Sequence, residues 1–345
     1  MSLSAEILYP LAASSVTREY CLKHPLKYFA TRYSQKSSPS RARDATPICV
    51  LVGTAVGCTS HLWIPVIKHL YRMQEQQDSP IHILSIWVVD RPNHGDAAVL
   101  NAETIDKHYH DFFPSAEYGA AMSDLVHSGL LSAQETDSLV ALGHSGGGAS
   151  IMDSIPLHAN GPYKLIIMME PVYVPEDPKI AAAFSKVGAL VASANAKEAT
   201  SWPSVDIALE YIKKRMPWRV FDAENLRILA ETAFRPLPAD DGVATKTPST
   251  QRTASFVDIR SAYIGTERVI NMLPDVPFHA IVGSVHDLWP EVMNKAIAAK
   301  LEGMQKIGLG LTTVDAGHYL AHEKPEASAV AIFGALSRMA RRARL

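Results

Sequence analysis

Gly143-His144-Ser145-Gly146-Gly147 is a G-x-S-x-G run, and the residues on either side of it decide the fold. Ahead of it lies the short apolar stretch Ser138-Leu139-Val140-Ala141-Leu142, which reads as a strand. Behind it come Gly148 and Ala149-Ser150-Ile151-Met152, which suit a helix. Strand, sharp turn and helix in that order lift a serine hydroxyl clear of a sheet edge, the arrangement called a nucleophile elbow. Positions without bulk around the serine fit that reading, because strand and helix approach closely there. The competing interpretation is an ordinary glycine-rich loop.

Working outward, short and often β-branched apolar runs recur at 48–52, 83–89, 139–142, 165–169, 278–282 and 311–314, bounded by Gly, Pro or Asp. Continuous rather than alternating apolarity suits strands covered on both faces, as in a parallel sheet. Helix-compatible segments lie between them, at 62–73, 117–131, 148–155, 291–304 and 325–338. The alternation predicts an α/β fold with a mostly parallel central sheet and helices on both faces. Residues 28–33 read as a candidate edge strand, and 34–43 as an exposed turn. The alternation breaks after Glu170: 179–196, 205–215 and 223–234 look helical, and Pro236, Pro238 and Pro248 mark loops. The expected organisation is therefore a first core part, 1–172, a mainly helical cap or lid, 173–274, and a second core part, 275–345.

The 345 residues are 47% hydrophobic and 20% charged, with a net charge of −2, as in an ordinary soluble globular protein. That balance offers nothing basic enough to hold nucleic acid, and no apolar run is long enough to span a membrane. No basic segment followed by an apolar core opens the chain, so no secretory signal is expected. Cys21, Cys49 and Cys58 cannot all pair and lack metal spacing, which points to a reducing compartment and no metal site. Ala343-Arg344-Leu345 matches the small-basic-leucine tripeptide read by the peroxisomal import receptor. Peroxisomal matrix is the expected location and cytoplasm its alternative. A homodimer is allowed by the sequence but not legible in it.

A serine nucleophile needs a base, an acid to orient the base, and donors for the oxyanion. On a fold of this kind they follow in the order Ser, acid, His. His318, in Asp315-Ala316-Gly317-His318-Tyr319 after the strand-like 311–314, is the expected base. Two positions compete for the acid. Glu170 ends the strand-like 165–169, between Met169 and Pro171, 25 residues after Ser145. Asp287 lies in Gly283-Ser284-Val285-His286-Asp287-Leu288-Trp289-Pro290, one residue late for the usual G-x-x-D spacing. Glu170 is favoured and Asp287 is the alternative. The oxyanion donors expected are the amides of Gly146 and of Val56, the latter in the small, apolar Gly53-Thr54-Ala55-Val56-Gly57-Cys58. Gly57, His144 and Trp218 are candidates for the substrate site, although His144 also suits packing beneath the elbow. His322 reads as a surface histidine. The mechanism expected of this set needs no cofactor.

These motifs resemble the α/β-hydrolase superfamily over about residues 45–335. Within it the chain is similar to fungal peroxisomal hydrolases of toxin biosynthesis and to the acyl-CoA hydrolase of mycophenolic acid biosynthesis. The narrower likeness rests on Asn93-His94-Gly95-Asp96-Ala97-Ala98, Gly143-His144-Ser145, Met169-Glu170-Pro171, Phe234-Arg235-Pro236-Leu237-Pro238, Lys246-Thr247-Pro248 and the Ala343-Arg344-Leu345 end. Two departures stand out: Glu170 replaces an aspartate, and Thr54 replaces the histidine of the oxyanion loop. The resemblance implies a serine hydrolase acting on acyl-CoA thioesters or related esters in secondary metabolism, with the acid on the strand after the elbow. Acyl transfer or cyclisation on the same site is the alternative, and a non-catalytic binding protein the third reading.

Overall fold

The short apolar runs pair into one eight-stranded sheet. In chain order the strands are β1 (Leu11–Cys21), β2 (Pro25–Gln35), β3 (Thr46–Gly53), β4 (Ile81–Val89), β5 (Leu139–His144) and β6 (Ile166–Met169). A small hairpin, β7 (Phe234–Pro236) and β8 (Val243–Thr245), precedes β9 (Phe278–Gly283) and β10 (Gly310–Val314). Spatial order in the sheet is β1-β2-β4-β3-β5-β6-β9-β10. β1 and β2 pair antiparallel, as do β2 and β4, and the remaining pairs are parallel. This computed structural model describes residues 3–36, 44–76, 78–156, 159, 161–238 and 241–342. The candidate address 343–345 lies outside them, as does most of the expected turn at 34–43.

Period-two alternation sends each strand's side chains to two separate cores, which is why the central strands are apolar throughout. Val50, Val52, Val88, Leu142, Ile167 and Ile281 meet the helices Ile64–Gln74 and Pro325–Arg342 on one face. Leu51, Val89, Ala141, Met168 and Ala280 meet the helices Ser115–His127, Gly146–Ser154 and Ile259–Met272 on the other.

Two expectations need correction. The strand at 28–33 is not an edge: β2 lies between β1 and β4, and β1 forms the rim. β1 is poorly legible because only its ends and alternate positions are covered and its run Ser14-Ser15 faces solvent. The stretch after Pro248 is likewise helical, at Ser249–Phe256 and Ile259–Met272. Both helices and Pro178–Ala196 fall in the chain between the neighbouring strands β6 and β9.

Carboxyl ends of parallel strands face one way, and chain order reverses between β3 and β5. Such a switch point opens a crevice outside the sheet edge. Ser145, Glu170 and the 53–58 loop all leave the sheet there.

Candidate active site

Ser145 begins where β5 ends. Its backbone adopts φ 53° and ψ −125°, a region a non-glycine residue avoids at about 1–3 kcal/mol. Its N–H still donates to the Met169 carbonyl at 2.9 Å, so the ladder continues while the chain turns. The neighbouring glycines are required by contact: a Cβ on Gly143 would lie 2.4 Å from Gly148 Cα, and one on Gly147 would lie 2.3 Å from the Gly53 carbonyl oxygen. The helix Gly146–Ser154 then starts without a side-chain cap, which leaves its first amides open at its positive end.

His318 Nε2 accepts the Ser145 hydroxyl at 2.8 Å. Its Nδ1 faces Glu170 Oε2 at 2.9 Å. A nitrogen facing a carboxylate carries the proton, so Nε2 is the one left to accept. Glu170 takes its own sharp turn just after β6, at φ 50°, while its N–H donates to the Ile281 carbonyl at 2.8 Å. The second carboxylate oxygen accepts the Gly283 N–H at 2.6 Å. Burial alone pushes the Glu170 carboxyl upward. The hydrogen bond and charge of His318, the Gly283 amide and His144 outweigh it and hold the group below the usual glutamate range. The longer glutamate therefore reaches the imidazole from a residue whose backbone is still tied to the sheet.

Asp287 comes close but serves the backbone: its Oδ1 accepts the His318 N–H at 2.9 Å, and its carboxylate lies against Gly317. It does not meet the ring. The alternative acid thus sits one residue out of register, as the spacing of Gly283 and Pro290 implies, and orients the loop that carries the histidine. Asp315, also near His318 in sequence, accepts a hydrogen bond from Ser284 instead.

In the 53–58 loop, the Thr54 N–H donates to the Tyr118 hydroxyl at 2.8 Å and the Gly57 N–H donates to His94 Nε2 at 2.9 Å. Between these fixed points Val56 faces Ser145 and Gly146 across one cavity. Neither the Val56 nor the Gly146 amide is engaged in a backbone hydrogen bond among the described residues. His94 accepts at Nε2, so its Nδ1–H donates to Asn93 Oδ1 at 2.9 Å. Asn93 in turn donates to the Ser255 hydroxyl at 2.8 Å. Burial holds His94 well below the usual histidine range, so it stays neutral and can accept.

The turn 93–96 and the segment 246–255 also meet directly. Lys246 pairs with Asp96 at 2.8 Å and the Gly95 N–H donates to the Thr247 hydroxyl at 2.8 Å. The two sets of motif residues singled out in the sequence are thus two sides of one junction, which places the insertion over the loop of the expected oxyanion donors.

The cavity beside Ser145 measures about 80 Å³. Met152, Met168, Val172 and Tyr173 wall it from the core, and Phe184, Phe256 and Trp289 from above. The three rings stack at 5.6–5.7 Å, and Trp289 meets the His318 ring edge to face at 6.1 Å. Phe184 and Trp289 were missed in the sequence; the signal available was an apolar stripe on 178–196 and the tryptophan beside Asp287.

The other residues expected at the substrate site lie elsewhere: none of them lines this cavity, and Gly57 and Trp218 line a separate one with Arg252. His144 is fully buried and donates from Nε2 to the His318 carbonyl at 2.8 Å. Burial and the nearby His318 push it down to about 4, so it packs neutral beneath the elbow. Gly57 is committed to His94. Trp218 is buried under Arg252, whose guanidinium carbon lies 4.8 Å from the ring. Arg252 itself pairs with Glu198, both side chains buried. His322 is a core residue rather than a surface one, against the rings of Trp63, His144 and Phe221. Among the described residues no group of three or more His, Cys, Asp or Glu side chains is arranged to hold a metal.

A hydroxyl bonded to an imidazole, a carboxylate behind that imidazole, and two open amides across a small apolar cavity can support acyl transfer to serine. The chain belongs to the alpha/beta hydrolase family, whose model matches residues 50–331. Among curated proteins none matches it in sequence. Its fold is similar to the peroxisomal alpha-beta-hydrolase Lpx1 of Saccharomyces cerevisiae, at TM-score 0.69 and 15% identity over 96% of this chain and 89% of that one. It is similar also to the thioesterase domain of the curacin biosynthetic pathway, at TM-score 0.60 and 14% identity over 92% and 98%. A third likeness is to E-2-(acetamidomethylene)succinate hydrolase, at TM-score 0.60 and 15% identity over 94% and 99%.

Proposed function

We propose that the protein is a serine hydrolase that cleaves a compact acyl thioester, an acyl-CoA in the first instance, or a related ester. Ser145 attacks the carbonyl while His318 Nε2 takes the hydroxyl proton. Glu170 orients the ring and stabilises the imidazolium, and the Val56 and Gly146 amides bind the oxyanion. His318 returns the proton to the thiolate or alcohol leaving group. Water then adds to the acyl-enzyme with His318 again as base, which releases the acid and the free serine. The unbroken hydrogen-bond chain from Ser145 through His318 to Glu170 carries this reading.

The chain from 173 to 274 acts as a lid, supported by its junction with 93–96 and by the Phe184–Phe256–Trp289 stack over the cavity. A cavity of about 80 Å³ favours a short or folded acyl group over a long straight one. Peroxisomal import through Ala343-Arg344-Leu345 and a role in secondary metabolism complete the proposal. They rest on the tripeptide and the motif resemblance, with a peroxisomal protein among the fold neighbours.

The test is a hydrolysis screen over acyl-CoAs and 4-nitrophenyl esters of graded chain length, with Phe184→Ala beside the wild type. The expected result is activity on short acyl groups, and an optimum shifted to longer chains in the variant. Activity on esters but on no acyl-CoA would remove CoA as leaving group. Inactivity on all, with or without added alcohol and amine acceptors, would reject the proposal.

A further inference from the structure

Arg91 is 1% exposed at the carboxyl end of β4, and its side chain enters no salt bridge among the described residues. Its Nε has no hydrogen-bond partner. The contact it does make is with a ring, its guanidinium carbon 4.7 Å from the Tyr118 centroid. Burial works against its charge, and the Tyr118 phenol, Asp258 and Asp153 are the groups that favour it. Neither carboxylate forms a salt bridge with Arg91, although one Asp153 oxygen has no hydrogen-bond partner among the described residues. Asp258 caps the helix Ile259–Met272 and accepts the Ser115 N–H at 2.9 Å and the Ser261 hydroxyl at 2.6 Å. Asp153 lies 3.9 Å from Arg268.

An unpaired buried cation is destabilising by several kcal/mol in an ordinary core, so its place in the molecule matters. A Cβ built on Gly146 would come within 2.7 Å of Arg91 Nη2. The guanidinium is therefore packed against the backbone of the residue that opens the helix Gly146–Ser154. That helix presents its positive end at the same point. A cation there adds repulsion that Tyr118, Asp258 and Asp153 offset only in part, since neither carboxylate reaches it as a salt bridge; an anion on the cavity side of Gly146 would complete the balance. Arg91 does not line the cavity, so substrate does not touch it.

We propose that Arg91 is a positioning residue for charge: through Gly146 it maintains a positive potential at the oxyanion site and favours the tetrahedral intermediate over the neutral substrate. The proposal rests on the serine-hydrolase reading above. It places a cation without a salt-bridge partner where negative charge appears only during reaction.

Arg91→Met keeps bulk and removes charge, and Arg91→Lys keeps charge. Each is assayed for kcat and KM on a neutral 4-nitrophenyl ester, for inhibition by an arylboronic acid that forms a tetrahedral anion on serine, and for Tm. A folded Arg91→Met enzyme is expected to lose about 10- to 100-fold in kcat with KM within about twofold. Boronate affinity should fall in step, and Arg91→Lys should recover most of both. An Arg91→Met chain that fails to fold, or keeps wild-type kcat and boronate affinity, assigns Arg91 to packing and overturns the proposal. If KM alone rises, Arg91 binds substrate and the proposal is also wrong. A wild type that neither turns over esters nor binds boronate removes the serine-hydrolase reading, and this inference with it.

Discussion

Replacing Glu170 by glutamine separates the two carboxylates around His318. In the transition state the imidazole carries a full positive charge with Glu170 Oε2 2.9 Å from Nδ1. Unit charges about 4 Å apart in an effective dielectric of about 20 attract by about 4 kcal/mol. A glutamine keeps a neutral hydrogen bond, and it also admits the wrong tautomer of the histidine. The expected loss in kcat is therefore about 10³-fold or more, with KM little changed. Asp287→Asn should lose less than about tenfold, because its contact is a neutral backbone N–H that an amide oxygen accepts as well. Steady-state hydrolysis of one ester by wild type, Glu170→Gln and Asp287→Asn decides. Glu170→Gln within about tenfold of wild type, or Asp287→Asn the more damaged, would refute the assignment of the acid.

Two further outcomes concern stability. Burial pushes His144 down to about 4 and His322 to about 3. The unfolded chain protonates both below about 6.5 while the native one does not, so ν in the unfolded state exceeds that in the native state. Their contribution is complete above that value and is lost as pH falls toward 4. Each should add a slope of about 1.4 kcal/mol per pH unit there. Asp90, raised to about 7, and Asp153, raised to about 6, slope the opposite way, so the test is a comparison. Urea titrations at pH 7, 6 and 5 should give His322→Phe a shallower profile than wild type, and equal slopes contradict the burial argument. Gly147→Ala brings a methyl onto the carbonyl oxygens of Gly53 and Thr54, at 2.3 and 2.6 Å. The expected destabilisation is about 3 kcal/mol or more, read as a lower Tm with activity lost, and an unchanged Tm would contradict the packing described.

The central sheet was legible because its strands are buried on both faces: continuous runs such as 48–52 and 139–142 carry their own boundary glycines. β1 was not, because a rim strand with one exposed face can use Ser14 and Ser15 as readily as valine. The helix Ser249–Phe256 was hidden for a related reason. Gln251 and Arg252 look like loop residues, yet they are buried by Asn93 and Glu198, partners far away in sequence. The surroundings of Ser145 could be read locally, since the turn dictates its neighbours. Which side chains wall the cavity could not be. Trp218 and Trp289 look alike as letters, and only the return of the chain after β9 brings the second against His318. Arg91 shows the same limit, because its lack of a partner is a property of the assembled fold.

Catalysis here depends on one hydroxyl, that of Ser145, made reactive by His318. Intact-mass and peptide analysis after treatment with a fluorophosphonate probe tests it most directly. The expected result is one adduct, on Ser145, formed quickly by wild type, far more slowly by His318→Ala, and not at all by Ser145→Ala. A wild type that stays unmodified, or an adduct that forms equally well in Ser145→Ala, would contradict it.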